Sequence, residues 1–270
     1  MINTLEQKEA NLIKFLQKLE APALAFSGGV DSALLLAACQ KAKVNLKVFS
    51  AITPLMPAFE KLDITRLIFE LDFKVNFLYP NPLNLPEFCA NDSKRCYHCK
   101  KLLFSTIKAE AEKLGCETLL DGANLDDLGD YRPGMQATKE LGVVSPLLEC
   151  GFSKADVRSL AEKYKLSIAK KPAYACLASR IAYGEAVTLE KLAQIEKAED
   201  ALKALGLNDV RVRCHNNLAR VEVAPQEIVL AATELREQII SAVKDAGFAY
   251  VTLDLEGFRS GSMNVSIHEQ

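Results

Sequence analysis

The segment that most restricts what this chain can fold into is Ser27-Gly28-Gly29-Val30-Asp31-Ser32, because of what flanks it. Ala23-Leu24-Ala25-Phe26, just before it, is a short apolar run, too short for a helix and closed by glycine, as in a buried parallel strand. From Ser32 to about Lys43 the pattern is helical. Strand, Ser-Gly-Gly turn and helix start together make a site for anions. Glycines present backbone N–H groups with no Cβ in the way, and the helix start adds partial positive charge. Ser27 and Ser32 can donate hydroxyl hydrogen bonds, and Asp31 can hold Mg2+ through its oxygens. No Gly-Lys-Ser/Thr closes the loop, so it is not of the Walker type.

The pattern around this loop repeats. A helix over 3–20 places Leu5, Leu12, Ile13, Leu16 and Leu19 on one side and stops at Pro22. Val44 to Ala51 reads as a strand, 57–71 as a helix and Lys74 to Leu78 as a strand. After a loop at 80–95 come a helix near 98–114 and a strand at Thr118-Leu119-Leu120 ending in Asp121-Gly122. Ser153, with Asp156 three positions on, caps a helix running to about Tyr164. Strand-helix alternation at this spacing predicts an α/β fold with a doubly wound parallel sheet. From Thr188 the order changes to helix (188–205), two alternating strands (Val210 to Cys214, Ala219 to Val223), helix (Pro225 to Asp245) and a last strand from Tyr250 to Leu255. That block reads as a small C-terminal α+β domain, giving domains of 1–183 and 184–270.

Composition narrows the function classes. Hydrophobic residues make up 49% and charged ones 25%, the balance of a soluble globular protein, and a net charge of −2 offers no overall basic field for a long nucleic acid. The first twenty residues lack the apolar core of a secretory signal, and no stretch approaches the roughly 20 apolar residues of a membrane span. The expectation is a cytoplasmic protein without a membrane segment.

In that compartment eight cysteines do not imply a disulfide framework. Cys39, Cys116, Cys150 and Cys214 read as small buried hydrophobes, while Cys89 is ambiguous. Cys96-Tyr97-His98-Cys99 stands at the mouth of a helix beside Lys94, Arg95, Lys100 and Lys101, an environment that favours thiolate. Cys176, between Lys170 and Arg180, is a third candidate. Three thiolates are one short of the four that close a zinc or cubane site. Three readings stand open: zinc completed by His98 or Cys89, a redox dithiol, or a [4Fe-4S] cluster with one exposed iron.

Other polar residues have two readings each. Asn124, Asp126 and Asp127 follow a strand and can orient Mg2+ or ribose, or merely cap a loop. Arg132 is either an ion-pair residue or a ligand contact. Arg180, four residues after Cys176, suits a carboxylate or adenylate. Arg211 and Arg213 alternate on one strand and so share a face, which can hold a phosphate or simply be solvated.

The string Ser27 to Ser32 resembles the pyrophosphate loop of the ATP pyrophosphatase superfamily, which includes NAD synthetase, GMP synthetase and RNA thiolases. The resemblance implies cleavage of ATP between the α and β phosphates, adenylylation of a substrate oxygen and displacement of AMP by a nucleophile. More closely, Arg95-Cys-Tyr-His-Cys-Lys-Lys-Leu-Leu-Phe104, Asp121-Gly-Ala-Asn, Tyr131-Arg-Pro-Gly134, Ser145-Pro-Leu147, Ala175-Cys-Leu-Ala-Ser-Arg180 and Asp254-Leu-Glu-Gly-Phe-Arg-Ser-Gly-Ser262 resemble the LarE family over nearly the whole chain. Those are sulfur transferases that build the nickel-pincer nucleotide cofactor of lactate racemase.

That resemblance implies MgATP-dependent adenylylation of pyridinium-3,5-biscarboxylic acid mononucleotide, then replacement of AMP by sulfur to give a thiocarboxylate. One branch of the family sacrifices the sulfur of a single cysteine, here Cys176, leaving dehydroalanine. The other has three cysteines and a [4Fe-4S] cluster, and Cys96, Cys99 and Cys176 place this chain there. The nucleotide and substrate contacts then expected are Ser27, Gly28, Gly29, Asp31, Ser32, Asp126, Arg180, Arg211 and Arg213, with Asp31 and Cys176 acting in the chemistry. The small domain is expected to bind substrate phosphate and make the contacts of a homo-oligomer. Two rivals remain: a tRNA thiolase, for which the chain lacks a second CxxC or a strongly basic segment, and a nucleotide-binding regulatory protein with structural zinc.

Overall fold

In the computed structural model, which describes residues 4–129, 133–172, 174–259 and 261–263, the chain divides into two compact units. The first comprises 1–53, 58–81 and 96–174, and the second 54–57, 82–95 and 175–270. The division thus falls at 174/175, not at the expected 183/184, and two short segments from the first half join the second unit. Periodicity marks elements, and it carries no signal for which body a connecting loop packs on.

The first unit holds a four-stranded, all-parallel sheet: β1 (Pro22–Ala25), β2 (Lys47–Ala51), β3 (Val75–Leu78) and β4 (Thr118–Leu120), in the order β3-β2-β1-β4. Its longer helices are α1 (Leu5–Leu16), α2 (Val30–Lys41), α3 (Ala58–Leu71), α4 (Arg95–Lys113), α5 (Pro133–Glu140) and α6 (Lys154–Lys163). Only Arg95, the first residue of α4, belongs to the other unit. All four β1 residues are buried, as a strand covered on both faces requires. Ala23 and Ala25 of β1, Phe49 of β2 and Leu119 of β4 pack on Phe104, Ile107 and Ala111 of α4. The chain moves outward from β1 through β2 to β3, then returns across the sheet to β4 beside β1. That reversal makes the carboxyl ends of β1 and β4 the switch point, the place where such sheets bind ligands.

α2 is apolar on every side, with Leu34, Leu35, Leu36, Ala37, Ala38 and Cys39 all buried. Such a helix is stable only inside a core. α6 starts with the expected capping box: the Ser153 side chain accepts from Asp156 N, and the Asp156 carboxylate accepts from Ser153 N at 2.9 Å. α2 and α6 pack together, and Glu9 of α1 fastens their far ends. Its carboxylate accepts from Lys41 Nζ (2.6 Å), Lys163 Nζ (2.7 Å) and Tyr164 Oη (2.8 Å).

The second unit holds a three-stranded sheet of β5 (Arg211–His215), β6 (Leu218–Glu222) and β7 (Tyr250–Leu253), antiparallel between β5 and β6 and parallel between β6 and β7. α7 (Leu189–Ala204) packs on β5, and α8 (Arg236–Asp245) packs on α7 and β7. The helix expected from Pro225 to Asp245 is broken: a short turn at Ile228–Ala232 precedes α8. Among the described residues no helix is long and apolar enough to cross a membrane.

Burial raises the Glu9 carboxyl, but its hydrogen bonds from Lys163, Lys41 and Tyr164 outweigh this and hold its pKa near 2, below the ordinary 4.5. A carboxyl lowered on folding contributes stability above its unfolded pKa and loses it as pH falls through the folded one. Glu9→Gln should therefore destabilise the chain by about 2 kcal/mol at neutral pH. In urea titrations the gap from the parent should close between about pH 4.5 and pH 2.

Candidate functional site

Between β1 and α2 the loop closes on itself through its serines. Ser27 N donates to Ser32 Oγ (3.3 Å), the two hydroxyls stand 3.2 Å apart, and Ser32 Oγ donates to Gly29 O (3.1 Å). Gly28 has φ +75, and a Cβ there would lie 2.4 Å from Ile64 Cγ1, so this position requires glycine. Gly29 is the N-cap of α2 and no side chain caps that helix. Its first-turn N–H groups are therefore available to an anion.

The loop after β4 lies directly against this helix start. A Cβ on Gly122 would stand 2.9 Å from Ser32 N and 3.0 Å from Asp31 Cβ. Asn124, buried, donates from Nδ2 to Asp31 Oδ1 at 3.0 Å and accepts on Oδ1 from Asp126 N. Asp126 reaches across to accept from Lys154 N, the first residue of α6, at 2.5 Å. The Lys154 ammonium in turn donates to Asp31 Oδ2 at 2.5 Å. Ser27, Gly28, Gly29, Asp31, Ser32 and Asp126 thus form one constellation at the carboxyl ends of β1 and β4.

Lys154 is the member that sequence reasoning missed. A lysine after an N-cap is ordinary on its own, and its partner Asp31 lies 123 residues away. What it completes is chemically definite. Two helix starts, α2 and α6, and one ammonium set a positive field, while Asp31 and Asp126 offer oxygens to a cation. An ammonium resting on Asp31 shows that this carboxylate accepts a positive partner, so the residues fit Mg2+.

None of the eight cysteines is in a disulfide, and their environments sort them. Cys39, Cys116 and Cys214 are buried and Cys150 half-buried, and burial raises all four thiols, Cys39 to about 12 and Cys214 to about 11. Cys89 is half-buried, raised by burial, and donates to Leu83 O. Only Cys96 and Cys176 are exposed; Cys99 is half-buried, one turn along α4 from Cys96. In kind, three thiols suit an iron–sulfur cluster. Among the described residues no three His, Cys, Asp or Glu side chains stand together as a ready metal site. α4 begins at Arg95, so His98 lies within its first turn, not at the cap. Three of the four cations around the CxxC have partners of their own. Lys101 donates to Tyr97 Oη, Lys100 lies over the Phe104 ring, and Arg95 is buried and turned to the Ala178 carbonyl.

The other arginines expected to meet ligand each have partners inside the second unit. Arg180 is fully buried; its Nε donates to Glu199 Oε1 (3.0 Å) and its Nη1 to the carbonyls of Ala175 (2.6 Å) and Cys176 (3.1 Å). Arg213, also buried, donates to Glu222 Oε2 from Nε (3.0 Å) and Nη2 (2.7 Å), and from Nη1 to Ser179 O. Arg211 lies buried over the Phe258 ring, 4.7 Å to its centroid. Neither strand arginine sits on a solvated face, because Glu222 and Phe258 give each a partner inside its own unit. Tyr131 and Arg132 lie outside the described residues.

No family model matches the chain. It is 36% identical over 263 residues to the pyridinium-3,5-bisthiocarboxylic acid mononucleotide synthase of Lactiplantibacillus plantarum, covering 97% of this chain and 95% of that protein. It is also 40% identical over 262 residues to an uncharacterised protein of Synechocystis (96% and 98% covered) and 30% identical over 239 residues to one of Methanocaldococcus jannaschii (88% and 90%).

The sorting of thiols is directly measurable. Under native conditions a thiol reagent read by peptide mass mapping should modify Cys96 and Cys176 first, with Cys39, Cys116 and Cys214 reacting only on unfolding. Labelling of Cys214 as fast as Cys176 would contradict this arrangement.

Proposed function

Because the chain belongs to the family of pyridinium-3,5-bisthiocarboxylic acid mononucleotide synthases, the LarE family, we propose that it inserts sulfur into a pyridinium mononucleotide on the way to the nickel-pincer nucleotide, using ATP to activate the acid. The observation that carries the ATP half is the meeting of two helix starts at Asp31 and Lys154. Ser27, Gly28, Gly29 and Ser32 cradle the phosphates with backbone N–H and hydroxyl donors. Asp31 and Asp126 would hold Mg2+, which supplies charge neutralisation on the triphosphate. Lys154 then leaves Asp31 and pairs with phosphate oxygens, so that positive charge is already in place where pyrophosphate departs.

The bonds follow in order. A carboxylate oxygen of the substrate attacks the α-phosphorus, the bond to the β-phosphate bridging oxygen breaks and pyrophosphate leaves. A sulfur nucleophile then attacks the acyl carbon, the acyl C–O bond breaks, and AMP departs with the electron pair to leave the thiocarboxylate.

Cys96, Cys99 and Cys176 are assigned to the sulfur half. They would hold a [4Fe-4S] cluster, which, when bound, provides an iron free of cysteine to carry inorganic sulfur. The exposure of Cys176, and the way its own unit holds its backbone, also favour the second reading. In that reading the Cys176 thiolate itself displaces AMP, and elimination across its Cα–Cβ bond releases the thiocarboxylate and leaves dehydroalanine.

Three variants test the proposal. Asp31→Asn should lower substrate-dependent AMP formation by about 10²–10³-fold. Cys176→Ala should still form AMP yet yield no thiocarboxylate. Cys96→Ala should abolish sulfur transfer if three cysteines act together, and keep a single turnover if Cys176 alone is the donor. Parent-level thiocarboxylate from Cys176→Ala, or ATP cleavage elicited only by tRNA, would overturn the assignment.

A further inference from the structure

Among the described residues, the polar frame around Cys176 contains a buried cation whose hydrogen-bond partners are all neutral. Arg95 is buried at 4% exposure. Its partners among the described residues are Asn91 Oδ1 at 2.5 Å, the Ala178 carbonyl at 3.0 Å (both from Nη1) and the Tyr183 ring, 5.2 Å to its centroid. Arg180 and Arg213, by contrast, face Glu199 and Glu222. Burying a guanidinium against neutral dipoles is costly, and an apolar side chain would fill the same space more cheaply. An apolar side chain could not, however, hold a backbone carbonyl.

Asn91 extends the same function. It is fully buried, sits at φ +57, and donates from Nδ2 to the carbonyls of Ala182 (2.7 Å), Glu185 (2.8 Å) and, longer, Ile181 (3.4 Å). Its own carbonyl accepts from Gly184 N at 3.1 Å. Leu177 N donates to Leu55 O at 2.9 Å, so the short segment 54–57 also grips this stretch. Together with Arg180 and Arg213, the carbonyls of residues 175, 176, 178 and 179 are each held by a buried guanidinium. All these contacts lie within the second unit, and they explain why residues 82–95 belong to it.

We infer that Arg95 and Asn91 are positioning residues for Cys176, acting through the backbone of 176–185 and touching neither nucleotide nor substrate. The inference rests on the reading of Cys176 as a sulfur-transfer residue for its functional consequence, though not for its structural one. A thiol that must meet an acyl carbon gains from a backbone that does not wander, since small misplacements at the reacting atoms are expensive in rate. Lysine is a poor substitute for Arg95, because a compact ammonium lacks the flat guanidinium face that rests on the Tyr183 ring while Nη1 holds both acceptors. Glycine can stand in for the backbone of Asn91 but not for its amide, since glycine accepts positive φ.

The test uses the full chain carrying Arg95→Gln, Arg95→Lys or Asn91→Gly. Asn91→Gly carries it if Arg95→Gln fails to fold, and it leaves the residue preceding Cys96 untouched. Amide hydrogen exchange over 175–185 should rise about tenfold in each variant, with strands β1 and β2 unchanged. The alkylation rate of Cys176 should change alongside. Thiocarboxylate formation should fall about tenfold while substrate-dependent AMP formation stays within about twofold, and Arg95→Lys should not rescue. Parent-like exchange over 175–185 in folded variants, or a parallel loss of AMP formation, would overturn the inference. If Cys176→Ala instead proves fully active, the functional reading falls, while exchange and alkylation still decide whether Arg95 and Asn91 position the segment.

Discussion

The contact between Asp31 and Lys154 is the point on which the first unit turns. α2 and α6 lie together with their starts at one place, so two partial positive charges meet there, and Lys154 adds a full one. Left alone, such ends repel. Asp31 and Asp156 in the two first turns, and Asp126 on the α6 backbone N–H, offset the field. At the far ends Glu9 binds Lys41 of α2 and Lys163 of α6, so the pair is fastened top and bottom. The site this builds is rigid in its helices and adjustable in its charges. An arriving anion with its cation can take the Lys154 ammonium and the Asp31 carboxylate separately, replacing one neutral pair by two complementary ones.

The second unit solves a different problem, that of fixing a short irregular segment. Residues 175–180 contain one turn of helix at most, and helix hydrogen bonds alone cannot hold their carbonyls. Buried guanidinium groups do so instead, with Glu199 and Glu222 as counter-charges that also serve the backbone at Val212 and the hydroxyl of Ser262. Replacing a buried ion pair by apolar groups can be neutral for stability, so the value of these arginines lies in the backbone they orient.

Much of this was legible in the sequence, for physical reasons that differ by element. The loop at Ser27 to Ser32 was readable because apolar strand, glycine turn and helix start are all local signals. The Ser153–Asp156 cap was readable for the same reason, and so was the burial of Cys39 in its apolar run. The destinations of Arg180, Arg211 and Arg213 were not, because alternation gives a face and says nothing of what packs on it. Glu222 and Phe258 supply that. Lys154 was invisible since its meaning depends on a partner across the sheet. Residues 54–57 and 82–95 read as loops, and only their hydrogen bonds to 177, 178, 182, 184 and 185 group them with the second unit.

In the proposed function, the loop at Asp31 directs cleavage of ATP between its α and β phosphates in order to activate a carboxylate. Reacting the protein with α-labelled ATP, Mg2+ and pyridinium-3,5-biscarboxylic acid mononucleotide, and separating the products, tests it most directly. Label recovered as AMP with an equal amount of pyrophosphate, and dependent on the mononucleotide, is the predicted result. Label recovered as ADP with orthophosphate, or ATP cleavage indifferent to the mononucleotide, would contradict it.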